Sequence, residues 1–153
     1  MNITLKDKRA VVTGGSSGIG RAIAEALASA GARVALTYRT HPKAAETLAA
    51  RIRRRRGKAL AIAADVADPN DVARLFRQVD EAWGGVDILV NNAGMDGSRA
   101  LGWEADLAAW RRVIEVNLLG ALHCAGEARR RMVAQKSGVV LSISSVHEEI
   151  AWA

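Results

Sequence analysis

Apolar and polar positions along the chain follow two different periods. Short, nearly continuous apolar runs alternate with longer stretches in which apolar residues recur every three or four positions. The short runs predict strands that are covered on both faces, and the longer stretches predict helices with one buried face. The predicted strands span 9–13, 33–38, 58–63, 86–90 and 138–144, and the predicted helices span 19–30, 42–56, 69–84 and 107–135.

The spacing of apolar residues assigns a buried face to each helix. Asp68 and Pro69 suit the N-cap and first position of the third helix, and Gly84 suits its C-terminal end. The residues expected to face the core are Ile19, Ala22, Ile23, Ala26, Leu27 and Ala30 in the first helix, Ala45, Leu48, Ala49 and Ile52 in the second, and Val72, Leu75, Phe76 and Val79 in the third.

Strict alternation of strand and helix predicts parallel pairing with right-handed crossovers. The fold class is therefore α/β, with a doubly wound, Rossmann-like sheet of five strands in the order 3-2-1-4-5. Such sheets bind ligands at the carboxyl ends of the strands, where the strand order reverses. Here that point lies between the first and fourth strands.

A glycine-rich turn, T-G-G-S-S-G-I-G at 13–20, joins the first strand to the first helix. Glycine permits a tight turn and lets a phosphate approach the backbone. The free amides of the helix N-terminus then face the anion. The turn predicts a site for a nucleotide diphosphate, although an ordinary turn has a similar composition.

Composition and charge narrow the class of protein. The length of 153 residues indicates one domain. Half of the residues are apolar, and few are aromatic. The net charge of +6 comes largely from Arg51–Arg56 and Arg129–Arg131. Both clusters fall at predicted helix C-termini without interleaved aromatics, so we interpret them as solvated helix ends and expect no nucleic-acid partner.

No apolar run is long enough to span a membrane, and a cytoplasmic protein is expected. Cys124, the single cysteine, is expected in the core.

Polar residues follow several strands at the expected ligand edge of the sheet. Asn91-Asn92-Ala93-Gly94 follows the fourth strand, Asp65-Val66 the third, and Ser142-Ile143-Ser144-Ser145 lies at the end of the fifth. Each segment also suits a simple turn or helix entry. Asn117 falls on the expected apolar stripe of the last helix, between Val113-Ile114 and Ala121, where a side-chain amide needs partners.

The end of the second strand bears on cofactor choice. NAD-specific proteins of this fold class have Asp or Glu at the end of the second strand, where it binds the ribose hydroxyls. Here the residues at that place are Tyr38-Arg39-Thr40, and none is acidic. Arg39 suits the additional 2′-phosphate of NADP, so we predict that NADP(H) is preferred over NAD(H). The alternative is that Arg39 is an ordinary surface residue.

The motifs T-G-x-x-x-G-x-G and N-N-A-G together resemble those of the short-chain dehydrogenase/reductase family, and the resemblance extends over essentially the whole chain. It implies NAD(P)-dependent hydride transfer between a nicotinamide and a carbonyl or secondary alcohol, in a protein that is commonly a homotetramer. The implied small-molecule substrate is a sugar such as glucose or a 3-oxoacyl thioester. The implied cofactor-binding residues are Gly14, Ser16, Ser17, Gly18, Ile19, Gly20, Arg39, Asp65, Val66, Asn91, Ala93 and Gly94.

The same resemblance implies roles for individual residues. Asp65 and Val66 hold the adenine, Asn117 holds a water in a proton relay, and Ser145, or else Ser144, contacts the reacting oxygen. The segment around 144–152 is similar to the glucose 1-dehydrogenase branch, which places Asp96 and His147 beside the substrate. Exposed loop is the alternative for both. No metal is implied.

Family members carry a Y-x-x-x-K pair about a dozen residues beyond the serine, whereas the sequence reaches Ala153 first and its one tyrosine is Tyr38. We therefore expect 1–153 to be the dinucleotide-binding part, catalytically inert alone because it lacks this acid/base, and marginally stable or prone to associate. Two alternatives stay open. One is a non-catalytic nucleotide-binding protein, and the other, less favoured, is a nucleic-acid binder that uses the arginine run.

Overall fold

The computed structural model describes residues 4–97 and 106–145, which form a parallel five-stranded sheet between two layers of helices. The strand order is β3-β2-β1-β4-β5, so the predicted order and fold class are confirmed. The elements are β1 Arg9–Val12, α1 Gly18–Ser29, β2 Arg33–Tyr38, α2 Pro42–Arg54, β3 Lys58–Ala63, α3 Pro69–Trp83, β4 Ile88–Asn91, α4 Leu107–Ile114, a π-helical segment Glu115–Leu119, α5 Gly120–Ala134 and β5 Val139–Ser142.

Successive residues of β1 point to opposite faces of the sheet, and both faces are buried. Ala10 and Val12 join the cluster that α1 and α2 cover, whereas Val11 joins the cluster that α3 and α5 cover. The buried faces predicted for α2 and α3 are confirmed. Asp68 also caps α3, because its carboxylate accepts a hydrogen bond from the amide of Asn70 at 2.8 Å.

The buried face predicted for α1 is correct for Ile23 and Leu27, which pack against the core, but wrong for Ile19, Ala22 and Ala26. Its buried positions are Gly20 and Ala24, while Ala22 and Ala26 are exposed and Ile19 is 64% exposed. The helix carries apolar residues on several faces, so periodicity alone did not fix its orientation. Its contacts with the sheet and with the loop after β4 fix that orientation instead.

The helix predicted for 107–135 is interrupted by the π-helical segment. In this segment the backbone hydrogen bonds join residues five apart instead of four apart, and this changes which residues face the core. The buried stripe consists of Val116, Gly120, Cys124, Ala128 and Met132. Asn117 is consequently exposed, which corrects its predicted position on the apolar stripe.

The sequence also predicted the surroundings of two side chains on α5, those of Cys124 and Arg131. Cys124 is fully buried, as predicted, and burial raises the pKa of its thiol to about 12. Arg131 differs from the predicted solvated helix end, because its side chain is only 17% exposed. It pairs with Asp80 and Glu127 and lies over the ring of Phe76, 5.1 Å from the ring centre.

β5 lies at the edge of the sheet, as expected, and among the described residues it pairs only with β4. Its apolar side chains remain accessible, and Val139 is 61% exposed. None of the helices within 4–97 and 106–145 is both long and apolar enough to cross a bilayer.

Candidate functional site

Two adjoining cavities form one groove at the carboxyl edge of the sheet, where β1 and β4 lie side by side. The first, of about 500 Å³, contains the glycine turn and the end of β2, and we call it the adenosine cavity after the nucleoside that the sequence predicts there. The second, of about 540 Å³, contains the ends of β4 and β5, and we call it the serine cavity. Ile19, Val66 and residues 92–95 line both cavities and therefore join them.

The buried side chain of Thr13 ties the glycine turn to the loop after β4. Its hydroxyl oxygen accepts hydrogen bonds from the backbone amides of Asn92 and Ala93, each at 2.9 Å. In return, Asn92 Nδ2 donates to the carbonyl oxygens of Thr13 at 2.8 Å and Gly14 at 3.2 Å. The two motifs recognised in the sequence therefore form one hydrogen-bonded unit.

Two glycines of the turn are required for different physical reasons. A Cβ on Gly20 would lie 2.3 Å from Asn92 Nδ2, so the close approach of this helix to the loop excludes a side chain. Gly18 has φ of +52°, and a Cβ there would meet no atom within 4 Å. Gly18 therefore borders open space at the N-terminus of α1.

The N-terminus of α1 has the donors that a diphosphate requires. Ser17 is the N-cap, yet its side chain makes no capping hydrogen bond. The first-turn amides of any α-helix have no intrahelical acceptor, and here the N-cap side chain does not satisfy them either, while the helix dipole favours an anion beside them. With the open space at Gly18, these donors fit the pyrophosphate of a dinucleotide.

The remaining lining of the adenosine cavity contains Tyr38, Arg39, Asp65 and Val66. Arg39 is exposed and makes no hydrogen bond or ion pair with any residue in the described ranges, 4–97 and 106–145. Asp65 is fixed in place, since its Oδ1 accepts from the amide of Ala67 at 3.0 Å and its Oδ2 pairs with Arg112. These positions agree with a nucleoside lying across the ends of β2 and β3.

The backbone of Asp65 also perturbs a neighbouring carboxylate. Its amide donates a hydrogen bond to Asp71 Oδ2 at 3.0 Å. This bond, followed by the ion pair with Arg74, lowers the pKa of Asp71 below its ordinary value. Asp71 therefore stays ionised and fixes the turn that carries Asp65.

The serine cavity brings together Asn117, Ser144, Ser145 and Asp96. The side-chain amide of Asn117 binds the backbone of Met95, accepting from its N–H at 2.9 Å and donating to its carbonyl at 3.0 Å. When only partners in residues 4–97 and 106–145 are counted, one amide hydrogen and one acceptor position of Asn117 remain for water. His147 lies outside the described residues.

Asn91 has a buried acceptor atom that is unsatisfied within the described part of the chain. The residue is 7% exposed and lines the serine cavity, and its Nδ2 donates to the carbonyl of Ala121 at 3.0 Å. Its Oδ1 has no hydrogen-bond partner among the residues that the structure describes, and an unsatisfied acceptor is costly in a buried position. Across the described part of the chain, no group of three or more His, Cys, Asp or Glu side chains is arranged to hold a metal.

Comparison with known proteins identifies the family. The model of the short chain dehydrogenase family matches residues 8–153. The chain belongs to this family. Among other short-chain dehydrogenases, glucose 1-dehydrogenase 2 of Bacillus subtilis is 38% identical over 147 residues, which cover 95% of this chain and 57% of that protein. The 3-oxoacyl-acyl-carrier-protein reductase FabG of Staphylococcus aureus is 38% identical over 139 residues, covering 91% of this chain and 56% of that protein.

A solved structure supports the same assignment. The short chain dehydrogenase from Burkholderia cenocepacia J2315, crystallised in complex with NADP, superposes with a TM-score of 0.90 at 37% identity. The match covers 97% of this chain and 60% of that one. The chain thus spans less than two thirds of the length of each of these short-chain dehydrogenases.

Sequence reasoning missed three residues that shape the site. Thr13 was part of the glycine motif but received no role, and its signal was a hydroxyl residue at the end of a buried strand. Met95 holds Asn117 through backbone atoms, and no sequence pattern reveals such a contact. Arg112 reaches Asp65 from 47 residues away, and only the packing of α4 beside the end of β3 brings the two together.

Proposed function

We propose that this short-chain dehydrogenase is part of an NAD(P)-dependent oxidoreductase that transfers hydride between a nicotinamide and a carbonyl or secondary alcohol. One observation carries the proposal. A single groove joins the glycine turn at Gly14–Gly20 to a cavity lined by Asn117, Ser144 and Ser145. A dinucleotide lying in this groove would extend from the adenosine cavity to the serine cavity.

The adenosine cavity would hold the nucleotide half of the cofactor. The first-turn amides of α1 bind the pyrophosphate, and Gly14, Ser16 and Gly20 shape the turn around it. Asp65 and Val66 hold the adenine. Arg39, which has no carboxylate partner in the described structure, is available for a 2′-phosphate, and this supports a preference for NADP(H) over NAD(H).

The serine cavity would hold the reacting groups, with Asn91, Ala93 and Gly94 on the cofactor side. The nicotinamide, when bound, supplies or accepts the hydride. Ser145, with Ser144 as the alternative, donates a hydrogen bond to the reacting oxygen of the substrate. Asn117, held by Met95, keeps a water within reach of the proton that moves.

The names of the relatives guide the choice of substrate. A glucose 1-dehydrogenase and a 3-oxoacyl-acyl-carrier-protein reductase share similar identities with this chain. We propose a sugar or a 3-oxoacyl thioester as the substrate class, with Asp96 at the edge of the serine cavity beside it. His147 is proposed for the same role.

The location of Tyr38 supports a more specific proposal for a polypeptide of these 153 residues. Tyr38, its single tyrosine, lines the adenosine cavity and not the serine cavity. No tyrosine is therefore available as acid/base beside Ser145. We propose that this polypeptide binds the cofactor without turnover, which is also the behaviour of a non-catalytic nucleotide-binding protein.

An NADPH titration of the 153-residue polypeptide tests the proposal, with Gly18→Asp and Gly84→Asp as a matched pair. Both glycines have positive φ, and a Cβ at either meets no atom within 4 Å, but only Gly18 lines the groove. A carboxylate at position 18 would repel the pyrophosphate, so we expect Gly18→Asp to abolish binding and Gly84→Asp to preserve it.

Three results would contradict parts of the proposal. Failure of the unsubstituted polypeptide to bind NADPH or NADH would refute the function. Equal binding by the Gly18→Asp variant would refute the location of the site. Consumption of NADPH with a 3-oxoacyl thioester, or its formation from glucose and NADP, would refute the absence of turnover.

A further inference from the structure

The carboxylate of Asp65 lines the groove, and the guanidinium of Arg112 holds it from α4. Arg112 Nη2 pairs with Asp65 Oδ2, and the side chains are 30% and 27% exposed, respectively. Asp65 lines the adenosine cavity, whereas Arg112 is absent from the described lining of both cavities. The arginine thus contacts the carboxylate without occupying the space that a ligand would use.

Asp65 is constrained from three directions. The amide of Ala67 donates to Oδ1 at 3.0 Å, and the amide of Asp65 itself donates to Asp71 at 3.0 Å. Arg112 engages the other oxygen, Oδ2. A carboxylate offers about four acceptor positions, so after these two contacts with described residues about two stay available for a donor in the groove.

The charge of Arg112 matters as much as its hydrogen bond. An isolated carboxylate in this groove would repel the phosphates of a dinucleotide, and an adjacent guanidinium offsets that charge. Arg112 also approaches Glu115 Oε2 at 3.6 Å, and this second contact helps to hold its side chain. The arginine is therefore placed to fix both the orientation and the net charge around Asp65.

We propose that Arg112 is a positioning residue that orients the Asp65 carboxylate to accept a hydrogen bond from the exocyclic amino group of adenine. The inference rests on the proposed function, because it requires a dinucleotide in the groove. It assigns to α4 a part in recognising the base, five residues before Asn117 on the same continuous helical run. Of the side-chain contacts that Asp65 makes with described residues, removal of Arg112 would leave only the one with Ala67.

The test compares NADPH with its hypoxanthine counterpart, in which a carbonyl oxygen replaces the adenine amino group. The replacement removes the donor and sets an acceptor against Asp65. Hydrogen bonds to charged groups contribute about 1.5–3 kcal/mol, so we expect the unsubstituted protein to bind the adenine form at least about 10-fold more tightly. The measured quantity is the ratio of the two dissociation constants.

Variants of Arg112 and its neighbour separate positioning from a general structural role. We expect Arg112→Met to reduce the ratio to within about 2-fold of unity, and Arg112→Lys to restore part of it, because lysine keeps the charge but not the planar fork. Asp65→Ala removes the acceptor and is expected to match Arg112→Met. Arg111→Met is the control, since Arg111 is exposed on the same helix and has the same charge. It should leave the ratio unchanged.

The experiment distinguishes a failure of the proposed function from a failure of the role proposed for Arg112. If the unsubstituted protein binds neither dinucleotide, the proposed function and this inference fall together. If it binds both equally, adenine is not recognised by Asp65, and the inference fails while the function stands. If Arg112→Met and Arg112→Lys, folded by circular dichroism, both keep the full ratio, Arg112 is structural only and the inference is overturned.

Discussion

Asn92 Nδ2 lies 2.8 Å from the carbonyl oxygen of Thr13 and donates a hydrogen bond to it. Because Thr13 directly follows β1 and Asn92 directly follows β4, this bond fixes the width of the groove at the point where the strand order reverses. The reciprocal bonds from the Asn92 and Ala93 amides to the Thr13 hydroxyl make the connection rigid. Several of the expected results given below depend on hydrogen bonds of this kind, which join residues far apart in the chain.

Thr13→Val should destabilise the protein without changing its shape. The substitution leaves the half-buried amides of Asn92 and Ala93 without this acceptor, and an unsatisfied donor costs up to about 1–3 kcal/mol where water does not reach it. Urea unfolding measures the loss. Thr47→Val is the matched control, since the Thr47 hydroxyl donates to the Lys43 carbonyl on an exposed helix surface. A loss at position 13 no larger than at position 47 would contradict the role of the Thr13 hydroxyl.

Gly20→Ala and Gly126→Ala should change stability in opposite directions. A Cβ on Gly20 would collide with Asn92 Nδ2, whereas a Cβ on Gly126 meets nothing within 4 Å. Alanine stabilises an unobstructed helical position by about 0.5–1 kcal/mol relative to glycine, so Gly126→Ala should raise the free energy of unfolding. Gly20→Ala should lower it and weaken NADPH binding. Stabilisation by both would show that the close approach at Gly20 is unimportant.

Arg39→Gln should weaken binding of NADPH but not of NADH. A charged hydrogen bond to a phosphate contributes about 1.5–3 kcal/mol, which corresponds to an increase in the dissociation constant for NADPH of about 10-fold or more. Titration of both cofactors gives the ratio. Arg55→Gln removes a positive charge from outside the adenosine cavity and serves as the control. An equal loss for both cofactors would argue against a 2′-phosphate at Arg39.

Acid should remove a stabilising contribution from Asp87. Three hydrogen bonds from Arg9 reach its carboxylate, each at 2.8 Å, and they lower its pKa below the ordinary value. The unfolded chain, with a pKa of about 3.9 at this residue, therefore binds the proton more tightly than the folded protein. The contribution is fully present above that pH and is lost as the pH falls towards the folded-state pKa.

Urea unfolding at a series of pH values between about 6 and 3 measures this effect. Asp87→Asn should give a flatter dependence of the free energy of unfolding on pH. Asp7→Asn is the comparison, because the pKa of Asp7 is also lowered, by Arg33, but its side chain is 62% exposed. We expect a smaller change there, and identical slopes for Asp87→Asn and the unsubstituted protein would contradict the assignment.

Cys124 should not react with a thiol reagent such as DTNB while the protein is folded. Its pKa of about 12 and its full burial leave almost no accessible thiolate at neutral pH. Absorbance of the released product should rise only after denaturant is added. Reaction of the native protein at the rate of a free thiol would indicate that α5 opens readily.

The sequence predicted the sheet well because each signal was local. Val11 and its neighbours form a continuous apolar run, and Asp68 with Pro69 marks a helix start through bonds within a few residues. The order of the strands followed from the alternation of elements. The motifs at 13–20 and 91–94 were placed on one edge by the same argument, and they lie together there.

Where the prediction failed, the deciding contact was distant in sequence. The orientation of α1 depends on the fit of Gly20 against Asn92, so Ile19 lies in the groove and not in the core. The π-helical segment shifted the buried stripe by one residue to Val116 and left Asn117 free to bind Met95. The spacing of apolar residues within one helix contains no information on the fit of Gly20 against Asn92 or on the π-helical segment.

The sequence by itself determined the elements, the strand order and the edge where the two motifs meet, because hydrophobic period and turn chemistry act over short distances. Only the tertiary structure decided which atoms of Thr13, Asn92, Asp65 and Arg112 meet, because these hydrogen bonds join residues far apart in the chain. Their geometry depends on how each helix packs against the sheet, which is a property of the whole core.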